Sequence, residues 1–209
     1  MKFRNVEKKR LVFVVLAVIM MGFCLSFLNR TGFGTDPCTC MNLGISETIG
    51  WTLGTWQATL NCIMLVIVFL FARNQIGWGT IANMFLVGYS FDFFSWLWNI
   101  LLPANFFEGM AVRVLVTVPA LVVFVFAAAA YMAVELGTAP YDAIPFLIAE
   151  KGKRIPFRVV RICWDMAACA IGVFLGSTLG VVTVIMALTL GPVITWVKEH
   201  IIEKYLFPA

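Results

Sequence analysis

The chain is built of long apolar runs separated by short polar turns, with no sustained alternation of apolar and polar positions. A helix needs about 20 mostly apolar residues to cross the roughly 30 Å hydrocarbon core of a bilayer. Runs of that length lie at 11–29, 55–72, 78–102 and 111–134. The stretch 166–197 carries no charge and is too long for one span, so it is divided at Gly176-Ser177-Thr178. Six spans are therefore predicted, at 11–29, 55–72, 78–102, 111–134, 157–175 and 179–197. The first is read as a retained helix. Its apolar run exceeds the roughly 7–15 residues of a secretory signal, and no small-x-small cleavage site follows it.

Composition narrows the class further. Of the 209 residues, 62% are hydrophobic and 12% charged, against about 25% charged in a soluble domain. A globule of this size could not hide so much apolar side chain from water. That excludes a soluble enzyme, a disordered tail and a disulfide-stapled module, and the continuous runs exclude an outer-membrane barrel. The placement of Lys and Arg then sets the orientation. With the amino-terminal segment 1–10 in the cytoplasm, Arg73, the cluster Lys151, Lys153, Arg154, Arg158 and Arg161, and the tail residues Lys198 and Lys204 share its side. Only Arg30 and Arg113, of 15 basic residues, fall outside. The expectation is a multi-pass plasma-membrane protein with both termini cytoplasmic.

The chain also matches itself at an offset of 103 residues. Gly34-Thr35-x-Pro37 becomes Gly137-Thr138-x-Pro140, Ile45-x-Glu47 becomes Ile148-x-Glu150, Thr80 becomes Thr183 and Gly88 becomes Gly191. Arg10 falls opposite Arg113, and with one inserted residue Asn61 falls opposite Asp165. Each half holds three spans, an odd number, so the second enters the membrane upside down relative to the first. The predicted fold is an all-α polytopic membrane protein of two inverted three-helix repeats, at 11–102 and 111–197, joined by an outer linker at 103–110 and followed by a tail at 198–209. The segments 38–48 and 141–150 that follow the two Gly-Thr-x-Pro breaks are too short to span. They are either re-entrant or interfacial. Pro suits the first position of a helix, and a helix start offers unpaired N–H groups and about half a positive charge. Two such starts meeting near the midplane would form a site for a polar or anionic group, as in secondary transporters. Gly34, Thr35, Pro37, Gly137, Thr138 and Pro140 are its candidate residues, with Asn61 and Asp165 as a symmetric polar pair. The competing reading is a pair of tight turns with short helices lying flat on the bilayer.

The paired Gly-Thr-x-Pro segments, Gly77-Trp78-Gly79-Thr80 at the start of the third span and Leu190-Gly191-Pro192 in the sixth resemble the YczE/YitT-type bacterial integral membrane proteins. The resemblance is to the shorter, YczE-like branch and runs from about residue 10 to residue 197. It implies a bacterial plasma-membrane location. It carries no substrate and no catalytic residue over to this chain.

Ionisable residues inside spans are expensive and are the best remaining clues. Asp92, deep in the third span, is the candidate for proton coupling, with a helix–helix hydrogen bond as the alternative. Asp165 follows Arg161 by four residues, so the two can pair on one helix face. Asp36 and Asp142 flank the breaks and suit helix caps. Glu135 ends the fourth span and is read as reaching for the interface. The six cysteines lack the further ligands of a metal site. The single His200 lies in the tail, which removes a His-based triad, and no nucleotide-binding pattern is present. The expectation is a non-enzymatic small-solute secondary transporter with no cofactor, metal or nucleic acid, in contact with the bilayer and a small polar or anionic solute, with homodimer formation left open. The alternative is a non-transporting scaffold or accessory partner of another membrane or biosynthetic protein.

Overall fold

A computed structural model gives the structure over residues 8–152 and 155–206. Lys2, Arg4, Lys153 and Arg154, which share in the orientation argument, lie outside the described residues. Among the described residues every regular element is helical. In chain order they are α1 (Lys8–Thr31), α2 (Pro37–Ile49), α3 (Leu53–Phe71), α4 (Trp78–Leu101), α5 (Met110–Ala133), α6 (Pro140–Gly152), α7 (Phe157–Phe174) and α8 (Val181–Val197). A 3-10 turn (Arg73–Gln75) joins α3 to α4. A π-helical turn (Lys198–Ile202) and a last short helix α9 (Glu203–Leu206) follow α8.

The six long helices sit where the apolar runs predicted them, and α2 and α6 are the two short segments after the breaks. Lys8–Thr31, Leu53–Phe71, Met110–Ala133 and Val181–Ile202 are long and apolar enough to cross a membrane. Helix α4 is as long as α1 and carries Asn83, Asp92 and Asn99 along its length, and α7 carries Arg158, Arg161 and Asp165. The outer faces remain apolar: Leu16, Val66, Leu115, Phe174 and Val181 are all exposed. In water such patches would drive aggregation. In lipid they need no cover. The chain is a helical, multi-pass membrane protein.

Helices α1 and α5 pack along each other through the centre of the bundle. The run Ala127–Ala130 is wholly buried on α5, and small side chains let helix backbones approach closely where packing rather than the hydrophobic effect holds helices together. The main remaining contacts pair α1 with α4, α2 with α7, α3 with α4, α6 with both α3 and α7, and α5 with α8. Of the two short helices, α2 leans mainly on α7, and α6 sits between α3 and α7.

Local chemistry explains the breaks. Helix α2 starts with Pro37 at its first turn, and Asp36 caps it by accepting the Thr39 N–H at 3.1 Å. It ends at Gly50, whose φ of +72° closes the last turn. Before α2, Gly34 adopts φ +93°, and before α6, Gly137 adopts φ +114°. A Cβ on Gly34 would run into Thr183 Oγ1 and Gly180 N at the start of α8. One on Gly137 would meet Thr80 Oγ1 at 2.5 Å and Gly77 N at 2.6 Å, at the start of α4. The peptide groups beside these glycines cross between halves. The Phe33 carbonyl accepts the Val182 N–H at 3.0 Å, and the Leu136 carbonyl accepts the Gly79 N–H at 2.8 Å. Both the acceptors and the donors are related by the same 103-residue offset that relates the motifs.

These glycines generate a stability test. Gly34→Ala and Gly137→Ala should each lower stability by about 2 kcal/mol or more, because they combine a left-handed φ with a steric clash. Gly109→Ala, at φ −75° with only Val112 Cγ2 at 3.8 Å, should change it by about 1 kcal/mol or less. Thermal unfolding of the three variants in detergent micelles measures the difference.

Candidate functional site

The eight main helices enclose a cavity of about 780 Å³. Its mouth lies at one end of the bundle, among Asn74 of the α3–α4 turn, Glu135 after α5, Phe157 and Arg158 at the start of α7, and Trp196 and Glu199 at the end of α8. From there it reaches Asp36, Cys38 and Thr39 at the start of α2, and Gly137, Thr138, Ala139, Tyr141 and Asp142 at the start of α6. The two breaks, far apart in sequence, line one space. At the opposite end, Arg113 donates from Nε to the Thr31 carbonyl and lies over the Phe33 ring, 4.7 Å from its centroid.

Charge gathers where the short helices meet α7. Arg161 donates from Nη1 to Asp142 Oδ1 at 2.6 Å and from Nε to Asp165 Oδ2 at 2.9 Å. Asp165 also accepts the Tyr141 hydroxyl at 2.9 Å. Its side chain is only 4% exposed. Removing a charge from water is costly unless it is paired and hydrogen-bonded, and here one guanidinium and one phenol meet that need. The fork of the guanidinium serves two carboxylates at once, which an ammonium of similar reach could not match in geometry. The network ties α6 to α7.

Around it the walls divide by chemistry. Gln57 and Asn61 on α3 are one helical turn apart, and with Asn83 on α4 they put three buried carboxamides beside the cavity. Met21, Leu25, Phe124 and Ala128, from α1 and α5, make the apolar side. A mainly apolar pocket with a few convergent polar groups is the usual form of a small-molecule site.

Of the residues singled out in the sequence, Asn61, Gly137, Thr138 and Asp165 line the cavity. Gly34, Thr35, Pro37 and Pro140 stand outside the lining and shape the breaks. Asp92 also lies outside the lining; its Oδ2 accepts the Gly54 N–H at 2.8 Å, in the first turn of α3. Arg161 and Asp165 make the pairing that their spacing predicts. Glu135 has φ +55°, the one left-handed non-glycine among the described residues, at the position where the first half has Gly32 with φ +67°. Two contributors were not read from the sequence as site residues: Tyr141, which reaches Asp165 from another helix, and Gln57. The i, i+4 spacing of Gln57 and Asn61 was the available signal.

A family of unknown function, DUF6198, matches residues 8–199. The chain belongs to that family. It is 23% identical to an uncharacterized protein of Haemophilus influenzae over 90% of this chain and 83% of that protein. It is 26% identical to the uncharacterized membrane protein YczE of Bacillus subtilis over 68% of this chain and 64% of that protein. A second Bacillus subtilis protein, the uncharacterized YyaS, is 21% identical over 66% of this chain and 68% of its own length. No solved structure matches the chain. The YczE-like resemblance read from the glycine motifs is thus borne out.

The charge network generates its own test. Arg161→Met should destabilise the protein by about 2–4 kcal/mol, because it strands two carboxylates. Adding Asp165→Asn to it should restore part of the loss, since the deeper of the two charges is then gone. Melting temperatures of the single and double variants, measured side by side, give the comparison.

Proposed function

We propose that the protein is a small-solute secondary transporter of the bacterial plasma membrane. In this reading α1, α3, α4, α5, α7 and α8 are six spans, arranged as two inverted three-helix repeats, with α2 and α6 re-entrant and both termini cytoplasmic. The observation that carries it is the single cavity lined by the starts of both short helices. The pairing of each break with the first turn of the opposite half's last span supports the repeat. A cavity with its mouth at one end and Arg113 fastening the other is the form of one state in an alternating-access cycle. Solute would bind among Asn61, Gly137, Thr138 and Asp165. Gly34, Thr35, Pro37 and Pro140 would hold the short helices in place around it. A scaffold that only bound another protein would have no need of so large an interior space with convergent polar groups.

Asp92 acts, in this reading, on the movement of α4 against α3. Asp92→Asn keeps an acceptor for the Gly54 N–H but removes the charge. It should lower gradient-driven uptake several-fold and leave equilibrium exchange of the same solute near the parent level.

Two measurements test the proposal itself. Proteoliposomes offered a mixed small-metabolite extract should retain at least one solute beyond protein-free vesicles. Retention of none, together with stoichiometric co-purification of a protein partner, would favour the accessory role. Single cysteines at positions 73 and 152, in a background without native cysteines, should both react with a membrane-impermeant reagent from the cytoplasmic side. Labelling from opposite sides would remove the inverted repeat and the transport cycle with it.

A further inference from the structure

We infer that the deep end of the cavity binds a small organic cation, a solute carrying a protonated amine, held against Asp36 at the start of α2. The inference deepens the transport reading and rests on it for the route by which the solute would move. It gives the solute a sign of charge.

Helix starts alone would favour an anion. Here the protein's own carboxylates already stand at those starts. Asp36 accepts the Thr39 N–H of α2, and Asp142 lies in the first turn of α6. The charge balance around them is negative. Asp36, Asp142 and Asp165 share one guanidinium, and Arg161 is engaged by Asp142 and Asp165.

Asp36 is 8% exposed. Its Oδ1 has the Thr39 N–H, while Oδ2 is buried without a hydrogen-bond partner. Two further lining residues, Gln57 (5% exposed) and Gln75, each have an Oε1 that is buried without a partner. Orphaned acceptor oxygens need donors, because a buried polar atom left unmatched is costly. An ammonium group supplies several donors and a compensating charge together. Phe124, Tyr131 and Tyr141 in the lining give aromatic surface suited to the organic part and to the cation itself. The volume of about 780 Å³ fits an organic molecule. Among the described residues no three His, Cys, Asp or Glu side chains converge as metal ligands, which sets the organic cation above a bound metal ion.

The test uses three probes that share one ring and differ in charge: benzylamine, a cation near neutral pH, benzyl alcohol and benzoate. Each is titrated onto the purified full-length protein in detergent, and the shift in melting temperature is read. Benzylamine should stabilise the protein, and the other two should not. Asp36→Asn should weaken the benzylamine response about tenfold or more. Asn caps a helix as well as Asp does, so the variant should melt normally without ligand. Gln57→Leu, a second variant remote from the cap, should weaken the response several-fold. The proposal is overturned if benzylamine gives no shift, if benzoate or benzyl alcohol matches it, or if Asp36→Asn responds as the parent does. Benzoate binding in its place would reject the cation and leave the transport reading standing. Asp36-dependent benzylamine binding in a protein that moves nothing in proteoliposomes would do the reverse.

Discussion

A backbone that breaks inside an apolar solvent must find hydrogen-bond partners within the protein. This constraint organises the whole molecule. The non-helical turns before α2 and α6 interrupt the ladder of the chain, and each is answered from the other half. Phe33 is answered by Val182 and Leu136 by Gly79. Glycine at 34 and at 137 brings the two strands of backbone close enough for this to happen. The packing of α2 on α7 and of α6 on α3 follows from the same exchange, since each short helix is delivered to the opposite half by its break. The cavity follows in turn, because two short helices among six long ones leave space between them.

Within that space the protein manages charge unevenly. Arg161 sits between Asp142 and Asp165 and makes a compact, hydrogen-bonded group of them. Asp36 is held by Thr39, whose backbone N–H it accepts. Burial raises the energy of any charge that lacks a close partner. In the same surroundings Arg161 neutralises Asp165, while Asp36 holds the Thr39 N–H. Glu135 adds a further carboxylate near the mouth, on a left-handed backbone position where the first half has Gly32. Strained backbone of this kind tends to persist where a side chain is needed in place.

Much of the fold could be read from the sequence because a bilayer imposes a length on apolar runs. The six long helices and the two short ones agree with those runs to within a few residues. The breaks were legible because Gly and Pro have few other uses at such positions. The interior of the site was less so. Asp165 stood out as a charge in a span opposite Asn61, and its pairing with Arg161 followed from their spacing, but the contact of Arg161 with Asp142 joins two elements, and no spacing rule anticipates it. Asp36 was legible as a cap and not as an acceptor with an oxygen to spare. Asp92 stood out as a charge in a span, while its acceptance of the Gly54 N–H depends on how α4 meets the first turn of α3. Pattern located the polar residues, and packing decided which of them face one another.

The exchanged peptide bonds also bear on how the molecule is made. The Phe33 carbonyl lies near the beginning of the chain and its partner, the Val182 N–H, near the end. Until the last long helix leaves the ribosome and enters the bilayer, the first break has no native partner. The earlier helices must wait, shielded by the insertion machinery or by lipid headgroups and water at the interface. Neither half is a finished unit by itself, and a nascent chain stopped before α8 would expose a polar seam to the membrane, a ready mark for quality-control proteolysis.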